Sequence, residues 1–308
     1  MTPLAAVVLA HADAAQVKRL VAALEDTPIV LHCDARTEDA VYRDMLAGQP
    51  ARVRAARRLH TTVTSWSLVL AELEALRAAV RWTAAGHIAV LSGADYPLAG
   101  MDEIDRTLRA LDGRSWIHNV ALPIEDWGTP RQRDGGLWRL RYRYLTRGHH
   151  VRYWRGLPLR WPWPRAIPAD LTLRGASQWK IYSRADVCAL LRLVDNRPDL
   201  IRFWATTLVP DEIFAASMLA SPRLMGADAL PPCPSHAWYM DWADTGHPYW
   251  LTEADFDRLR AARRAPSVSP ADADCRKLFA RKFRTPDAAV LDRIDRELRV
   301  RTAGADRP

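Results

Sequence analysis

Three groups of residues in this chain of 308 have the types and spacing for chemistry. The first is Pro210-Asp211-Glu212, two adjacent carboxylates behind a proline and ahead of an apolar segment. A helix N-terminus favours carboxylates through its dipole, which suits Asp211 as a helix-start residue. Glu212 is then the candidate general base, since a base must face a substrate hydroxyl within hydrogen-bond reach. The second group is Phe279-Ala280-Arg281-Lys282-Phe283, two cations between two phenylalanines. Such a pair is either a solvated patch with apolar anchors or a placed charge. The compact ammonium of Lys282 suits a diphosphate leaving group, and lysine is scarce here, the others being Lys18, Lys180 and Lys277. The third group follows short apolar runs: Ala10-His11, His32-Cys33-Asp34 and Ser92-Gly93-Ala94-Asp95-Tyr96-Pro97. Asp34 and Asp95 suit ribose hydroxyls or an acceptor sugar, and the same residue types also build ordinary turns.

These groups need elements to hold them. Residues 4–10 form an apolar run with the look of a fully buried strand of a parallel sheet. Val17, Leu20, Val21 and Leu24 recur at helical spacing over residues 14–25. Strands are expected at Ile29–His32, around Val53, at His87–Leu91 and at Trp179–Tyr182, with helices over 38–47, 65–82 and 184–194. Asp102 to Leu111 reads as a helix with Asp102 as its cap. Helices are also expected over 211–220, 253–263 and 286–300. Strand–helix alternation through the first 110 residues predicts a doubly wound α/β sheet. In such sheets ligands bind outside the carboxyl ends of the strands, where His11, Asp34 and the Ser92–Pro97 stretch fall. Residues 123–168, rich in Trp, Arg, Pro and Gly, read as loops and short strands. With no internal repeat or clear linker, one domain is expected over 1–308. Its parts are a nucleotide-binding half at 1–115, an acceptor half at 116–250 and C-terminal helices at 251–308.

Composition narrows the partners. Hydrophobic residues at 49% and charged residues at 26% allow a well-buried core. A net charge of +8, almost all arginine, favours anionic partners: phosphates, nucleotide-sugars, nucleic acid or a membrane surface. Cys33, Cys188, Cys233 and Cys275 form no C-x-x-C pair and no disulfide framework, which fits a reducing compartment. There is no Walker A loop, no G-x-G-x-x-G after the first strand, no G-x-S-x-G elbow and no His/Cys cluster at zinc spacing. No Asp-x-Asp surrounds Asp34, Asp95 or Asp211. The apolar run at 4–10 is too short for a membrane span or signal peptide, so a cytoplasmic protein is expected.

Taken in order, the motifs resemble the core-2/I-branching β-1,6-N-acetylglucosaminyltransferase and peptide O-xylosyltransferase family, over about residues 4–285. Leu9-Ala10-His11 is similar to its opening strand and "AH", and His32-Cys33-Asp34 to its "H-x-D". Trp66 with Ala71-Glu72-Leu73 fits its tryptophan and long helix, and Leu91–Leu98 its "LSGxDYPL". Gly175–Trp179 resembles "GSQW", Pro210–Phe214 "PDExF", and Phe279–Phe283 "FARKF".

The resemblance implies a GT-A-like fold without the metal-binding Asp-x-Asp, a UDP-sugar donor, no metal cofactor and inversion to a β-linkage. It implies Glu212 as the catalytic carboxylate, and Arg281 and Lys282 at the donor diphosphate. His11, Asp34, Ser92, Gly93 and Asp95 would line the nucleotide-sugar, with Tyr96, Gln178, Trp179 and Asp211 near the donor or acceptor sugar. The expected acceptor is a carbohydrate or glycolipid, without nucleic acid, and the basic balance leaves room for peripheral association with the inner face of a bacterial membrane. Two positions depart from the family. Gln178 stands where xylosyltransferase members tend to have aspartate. Trp238 stands where members often carry a second diphosphate-binding arginine, a place Arg281 would have to fill. A UDP-xylose-dependent transferase on the same scaffold is the enzymatic alternative, and a non-catalytic carbohydrate- or nucleic-acid-binding protein is the other.

Overall fold

The computed structural model describes residues 3–128, 132–242 and 247–299. The first half alternates as expected: β1 (Leu4–Ala10), α1 (Ala14–Ala23), β2 (Ile29–Cys33), α2 (Asp39–Leu46), β3 (Val53–Ala55), α3 (Trp66–Trp82) and β4 (His87–Ser92). A three-residue strand, β5 (Asp95–Pro97), and α4 (Met101–Ala110) follow. The cap of α4 is Gly100; Asp102 lies one step inside, in the first turn.

Strands β1 to β4 run parallel in the order β3-β2-β1-β4. The edge beyond β4 is closed by antiparallel β14 (Lys180–Ser183), the strand expected at Trp179–Tyr182. All seven residues of β1 are buried because both sheet faces are covered. Ala5, Val7 and Leu9 face α3, α6 (Arg184–Asn196) and α8 (Phe214–Leu219). Leu4, Ala6, Val8 and Ala10 face α1, α2 and α4. Each large aliphatic side chain buried this way contributes about 1.5–3 kcal/mol.

Between β4 and β14 the chain makes β6 (Asn119–Ala121), the short helix α5 (Trp138–Arg141), and a run of small strands. These are β7 (Tyr142–Tyr144), β8 (Thr146–Arg147), β9 (His150–Val151), β10 (Tyr153–Trp154), β11 (Leu157–Pro158), β12 (Arg160–Pro164) and β13 (Arg174–Ala176). They pair as β7 with β12, β8 with β9, β10 with β11 and β6 with β13, all antiparallel. Thr129, Pro130 and Arg131 of the expected 123–168 loop region lie outside the described residues.

After α6 comes α7 (Pro198–Trp204), which opens on a proline where the missing N–H costs nothing. The remaining elements are α9 (Pro222–Met225), β15 (Trp238–Met240), α10 (Phe256–Arg264), β16 (Phe279–Arg281) and α11 (Ala288–Glu297). The end of the helix expected at 286–300 falls at Glu297, and residue 300 lies outside the described residues, as does the segment beyond it. β15, β16 and β5 form a second, three-stranded sheet, with Arg281 opposite Asp95 and Trp238 opposite Phe279. The three expected segments therefore interleave: β14 from the middle completes the first sheet, and the second sheet draws one strand from each segment.

Candidate active site

The carboxylate pair does not open a helix. Pro210–Glu212 is a single 3-10 turn, and α8 begins only at Phe214, beyond an irregular Ile213. Asp211 accordingly makes no cap hydrogen bond, which corrects its assignment as the helix-start residue. Its side chain turns inward, leaving the residue 8% exposed and Oδ1 without a hydrogen-bond partner among the described residues. Burial first, and then the neighbouring Glu212 charge, push the Asp211 carboxyl up to about 7.

Glu212 faces the other way. Its side chain is 30% exposed, and Oε2 accepts a hydrogen bond from Arg139 Nη1 at 2.9 Å. Oε1 has no partner among the described residues. The Arg139 guanidinium lies 4.2 Å from the centre of the Trp127 ring. Arg139 Nε and the indole N–H of Trp138 are buried donors without partners among the described residues. The turn is anchored from beneath by Phe214, edge-on to Trp66 at 4.9 Å and to Trp204 at 5.7 Å. It is entered through Val209 at φ +52°, whose N–H donates to the carbonyl of Thr64, itself at φ +71°. Two β-branched residues in the left-handed region cost roughly 1–3 kcal/mol each.

A buried network runs from this turn to the sheet. Lys180 Nζ donates to both carboxylate oxygens of Glu72, at 3.2 and 3.3 Å, and the Tyr182 hydroxyl donates to Glu72 at 2.7 Å. Burial, reinforced by the Glu72 charge, raises the Tyr182 phenol well above its usual range. Lys180 and Glu72 both act on the Asp211 carboxyl, the first easing and the second opposing its ionisation. Lys180 pairs with Val90 near the carboxyl end of β4, which places the Glu212 turn at the ligand-binding end of the sheet.

Trp179, next to Lys180, leads to the cationic side. The Arg281 guanidinium lies 4.0 Å over the Trp179 ring, with Nη1 3.4 Å from Asp95 Oδ1. Burial lowers the Arg281 pKa while Asp95 raises it. Arg281 Nε and Nη1 are buried and complete no hydrogen bond. Lys282 is half-buried with Nζ 4.4 Å over the Trp250 ring. Burial first, then the Arg281 charge, lower its pKa. Trp238, at the position implied for an arginine, stacks on Phe279 at 5.0 Å and donates its indole N–H to Asp95 at 3.0 Å. That position therefore supplies no cation, and the fixed charge comes from β16.

The strand-end residues are mostly closed upon themselves. Asp95 is fully buried, accepting from the Ser92 N–H at 3.1 Å, from the Ser92 hydroxyl and from Trp238. Burial raises its pKa, and Arg281, Ser92 and Trp238 pull against that rise. Gly93 is required by close approach: a Cβ there would stand 2.9 Å from Val17 Cγ2. Asp34, 3% exposed, accepts from the backbone and guanidinium of Arg36 and from the N–H and hydroxyl of Thr61. Burial disfavours its charge, but these donors prevail and hold the carboxyl well below the usual range. It positions the exposed Arg36 and has no oxygen left over for a ribose. His11 is exposed at the end of β1, its carbonyl accepting from Thr37 at 2.8 Å, and Gln178 is half-buried beside Trp179. Successive strand residues point to opposite faces, so where Asp95 meets Arg281, Tyr96 points to the other face and donates to Asp295 of α11 at 2.9 Å.

Two cavities lie away from the Glu212 turn. A cavity of about 430 Å³ lined by Arg114, Ser183, Asp186 and Cys233 sits at the amino ends of the strands, where Ser183 pairs with His87. A shallow one of about 540 Å³ lies between α1 and α11 over Tyr96. At the carboxyl-end site, ionisable groups with unmade hydrogen bonds gather at Asp211, Arg139 and Arg281. Among the described residues no group of three or more His, Cys, Asp or Glu is arranged to hold a metal ion.

Sequence reasoning missed Arg139, Trp127 and the Lys180–Glu72–Tyr182 network. Glu72 had a signal, a lone carboxylate on the apolar face of α3. The family model described as "Core-2/I-Branching enzyme" matches residues 4–260, which include Glu212 and end before Phe279. No curated protein matches the chain.

Proposed function

The chain belongs to the core-2/I-branching enzyme family, a family of glycosyltransferases, and on that premise we propose that it transfers a sugar, GlcNAc, from a UDP-sugar to an acceptor hydroxyl with inversion. The acceptor oxygen attacks the anomeric carbon from the face opposite UDP. Glu212 takes its proton on Oε1 while Arg139 holds Oε2 in place. The C–O bond to UDP breaks, and charge builds on the departing diphosphate. Lys282 and the open N–H groups of Arg281 neutralise it, fixed charges that need no reorganisation as the bond breaks. Because these cations carry that load, activity is expected to survive EDTA; strict Mn²⁺ dependence would contradict this.

The observation that carries the proposal is the division of Glu212: one carboxylate oxygen is pinned and the other is open, at the carboxyl end of the sheet. General-base catalysis contributes roughly 10²–10⁴-fold. Glu212→Gln should therefore lose transfer by about that factor while keeping fold and UDP binding; near-normal transfer would sink the assignment. The donor is identified by thermal shift and hydrolysis against UDP-GlcNAc, UDP-xylose, UDP-glucose and UDP-galactose. A preference for UDP-xylose would favour the xylosyltransferase alternative.

A further inference from the structure

The strands between α5 and β13 carry a surface that the proposed transfer does not use. From Gly135 to Ala169 the chain has eight arginines and no aspartate or glutamate. Residues 152–157 and 161–164 are exposed without interruption. Trp163 is 71% exposed, Trp154 59%, Leu157 57% and Trp161 50%, values that a side chain in a packed core never reaches. Tyr153 and Trp154 are adjacent in β10 and must point to opposite faces, yet both are exposed. Neither face of that ribbon is covered.

The surface is ordered. Arg155 and Gly156 turn the β10–β11 hairpin with φ of +49° and +77°, as a tight two-residue turn of the I′ type requires. The turn sets Trp154 opposite Leu157, and the Arg155 guanidinium lies 4.7 Å over the Trp154 ring. Arg143, Arg147 and Arg152 are exposed and make no ion pair among the described residues. The ribbons are tied to the rim of the site. Tyr153 bonds Thr64 at 2.5 Å, Val151 N–H donates to Ser65 Oγ at 2.9 Å, and Thr64 in turn accepts from Val209, next to the Glu212 turn.

Aromatic tips among arginines without ion pairs, in a stretch of chain without a carboxylate, match the chemistry of a lipid headgroup layer. Tryptophan rings settle at the headgroup level, aliphatic and proline surface enters the acyl boundary, and each arginine near an anionic surface contributes about 1 kcal/mol. Nucleic acid would use the arginines and stack on the rings, but it gives no role to Leu157, Pro158, Pro162 and Pro164. We propose that the β10–β11 and β12 ribbons dock this protein on an anionic membrane surface, with the mouth of the Glu212 site at the headgroup level. The docking is a physical property of the ribbons. Only its consequence, that acceptors carried in the lipid layer reach Glu212, rests on the proposed transfer.

Sedimentation with vesicles tests the docking without turnover. The full chain should pellet with phosphatidylcholine vesicles containing phosphatidylglycerol, pellet weakly with phosphatidylcholine alone, and release as salt rises. The triple change Trp154→Ala, Trp161→Ala, Trp163→Ala should weaken binding by about tenfold or more, and Arg147→Gln with Arg152→Gln by less. UDP-induced thermal shift is read on every variant to show that the fold and donor site persist, and its absence in the parent chain would count against the transfer proposal alone. Failure of the parent chain to pellet would overturn the docking. So would equal binding to pure phosphatidylcholine, undiminished binding by the tryptophan variant, or a shift of single-stranded RNA without vesicle binding.

Discussion

Two sets of polar residues meet at the carboxyl end of the sheet, and their hydrogen bonding sets them apart. Around Ser92–Asp95 and Asp34 every carboxylate oxygen has protein donors. Around Glu212 and Arg281, a carboxylate oxygen of Asp211, the Nε and Nη1 of Arg281 and the Nε of Arg139 complete no hydrogen bond among the described residues, although Nη1 stands 3.4 Å from Asp95. An unmade hydrogen bond on a buried group costs roughly 1–3 kcal/mol, so a fold retains it only where something else satisfies it. The closed set is satisfied within the protein, and under the proposed function the open set is what a ligand would complete. Substitutions in the two sets should fail in different ways.

The closed set should fail in stability. Asp34→Ala leaves the buried donors of Thr61 unpaired and frees the Arg36 guanidinium, a loss of about 3–5 kcal/mol across these bonds. Denaturant unfolding reads it directly. Because the Asp34 carboxyl is held below its usual range, its contribution is complete above that range and disappears as pH falls through it toward the depressed value. A stable Asp34→Ala protein that no longer binds UDP would reverse the division and make Asp34 a ligand residue.

Asp211 should behave oppositely. With its carboxyl raised to about 7, the folded state keeps a proton that the unfolded chain releases near 4. Between those values native stability falls as pH rises, and above them the cost is constant. Asp211→Asn removes the dependence. Its unfolding free energy should gain on that of the parent chain from pH 4 to 7 and hold the gain beyond, by on the order of 2 kcal/mol once sharing of charge with Glu212 is allowed for. Parallel pH profiles for the two proteins would show that Asp211 is ionised in the fold throughout.

The cationic side should lose affinity with little loss of fold. Lys282 is half-buried, and among the described residues its ammonium meets the Trp250 ring and the field of Arg281. Lys282→Ala should weaken UDP binding by about tenfold, roughly 1.4 kcal/mol, and the difference should shrink as salt screens the remaining charge. Calorimetric titration at two ionic strengths checks both. Unchanged affinity would leave Arg281 as the diphosphate contact.

The closed set was the more legible in sequence, and for a physical reason. β1, β2 and β4 are buried on both faces and read as continuous apolar runs, so their polar ends stand out at His11, Asp34 and Ser92. Amphipathic period gave α1, α3 and α6 to within two residues at either end. The second sheet left no trace, since β5, β15 and β16 have three residues each, too few for a period, and find partners far along the chain. Hence Asp95 and Arg281 read as separate diphosphate or sugar contacts, and only the fold sets them side by side. Arg139 is one of eight arginines in an acid-free stretch, and nothing local sets it apart until the fold brings Glu212 to it. Glu212 itself stands out only through the order of its neighbouring motifs, since its own turn carries no helical period.

The smallest expected effect probes why the open set is held open at all. Val209 adopts φ +52° and ψ +51° directly before the turn that carries Glu212. Glycine takes that conformation freely, whereas a β-branched residue pays for it. Against this relief, glycine gains freedom in the unfolded chain and gives up the contacts of Val209 with the Tyr144–Val151–Leu208 cluster. The opposing contributions should leave the stability of Val209→Gly within about 1 kcal/mol of the parent. The turn, however, would no longer be fixed by a stiff residue hydrogen-bonded to Thr64, and a catalytic group displaced by a fraction of an ångström loses rate more readily than binding. Turnover should fall several-fold with the donor KM unchanged. If Val209→Gly instead raises the melting temperature and leaves turnover intact, the strained entry is incidental to the site, and the pinning of Glu212 rests on Arg139 alone.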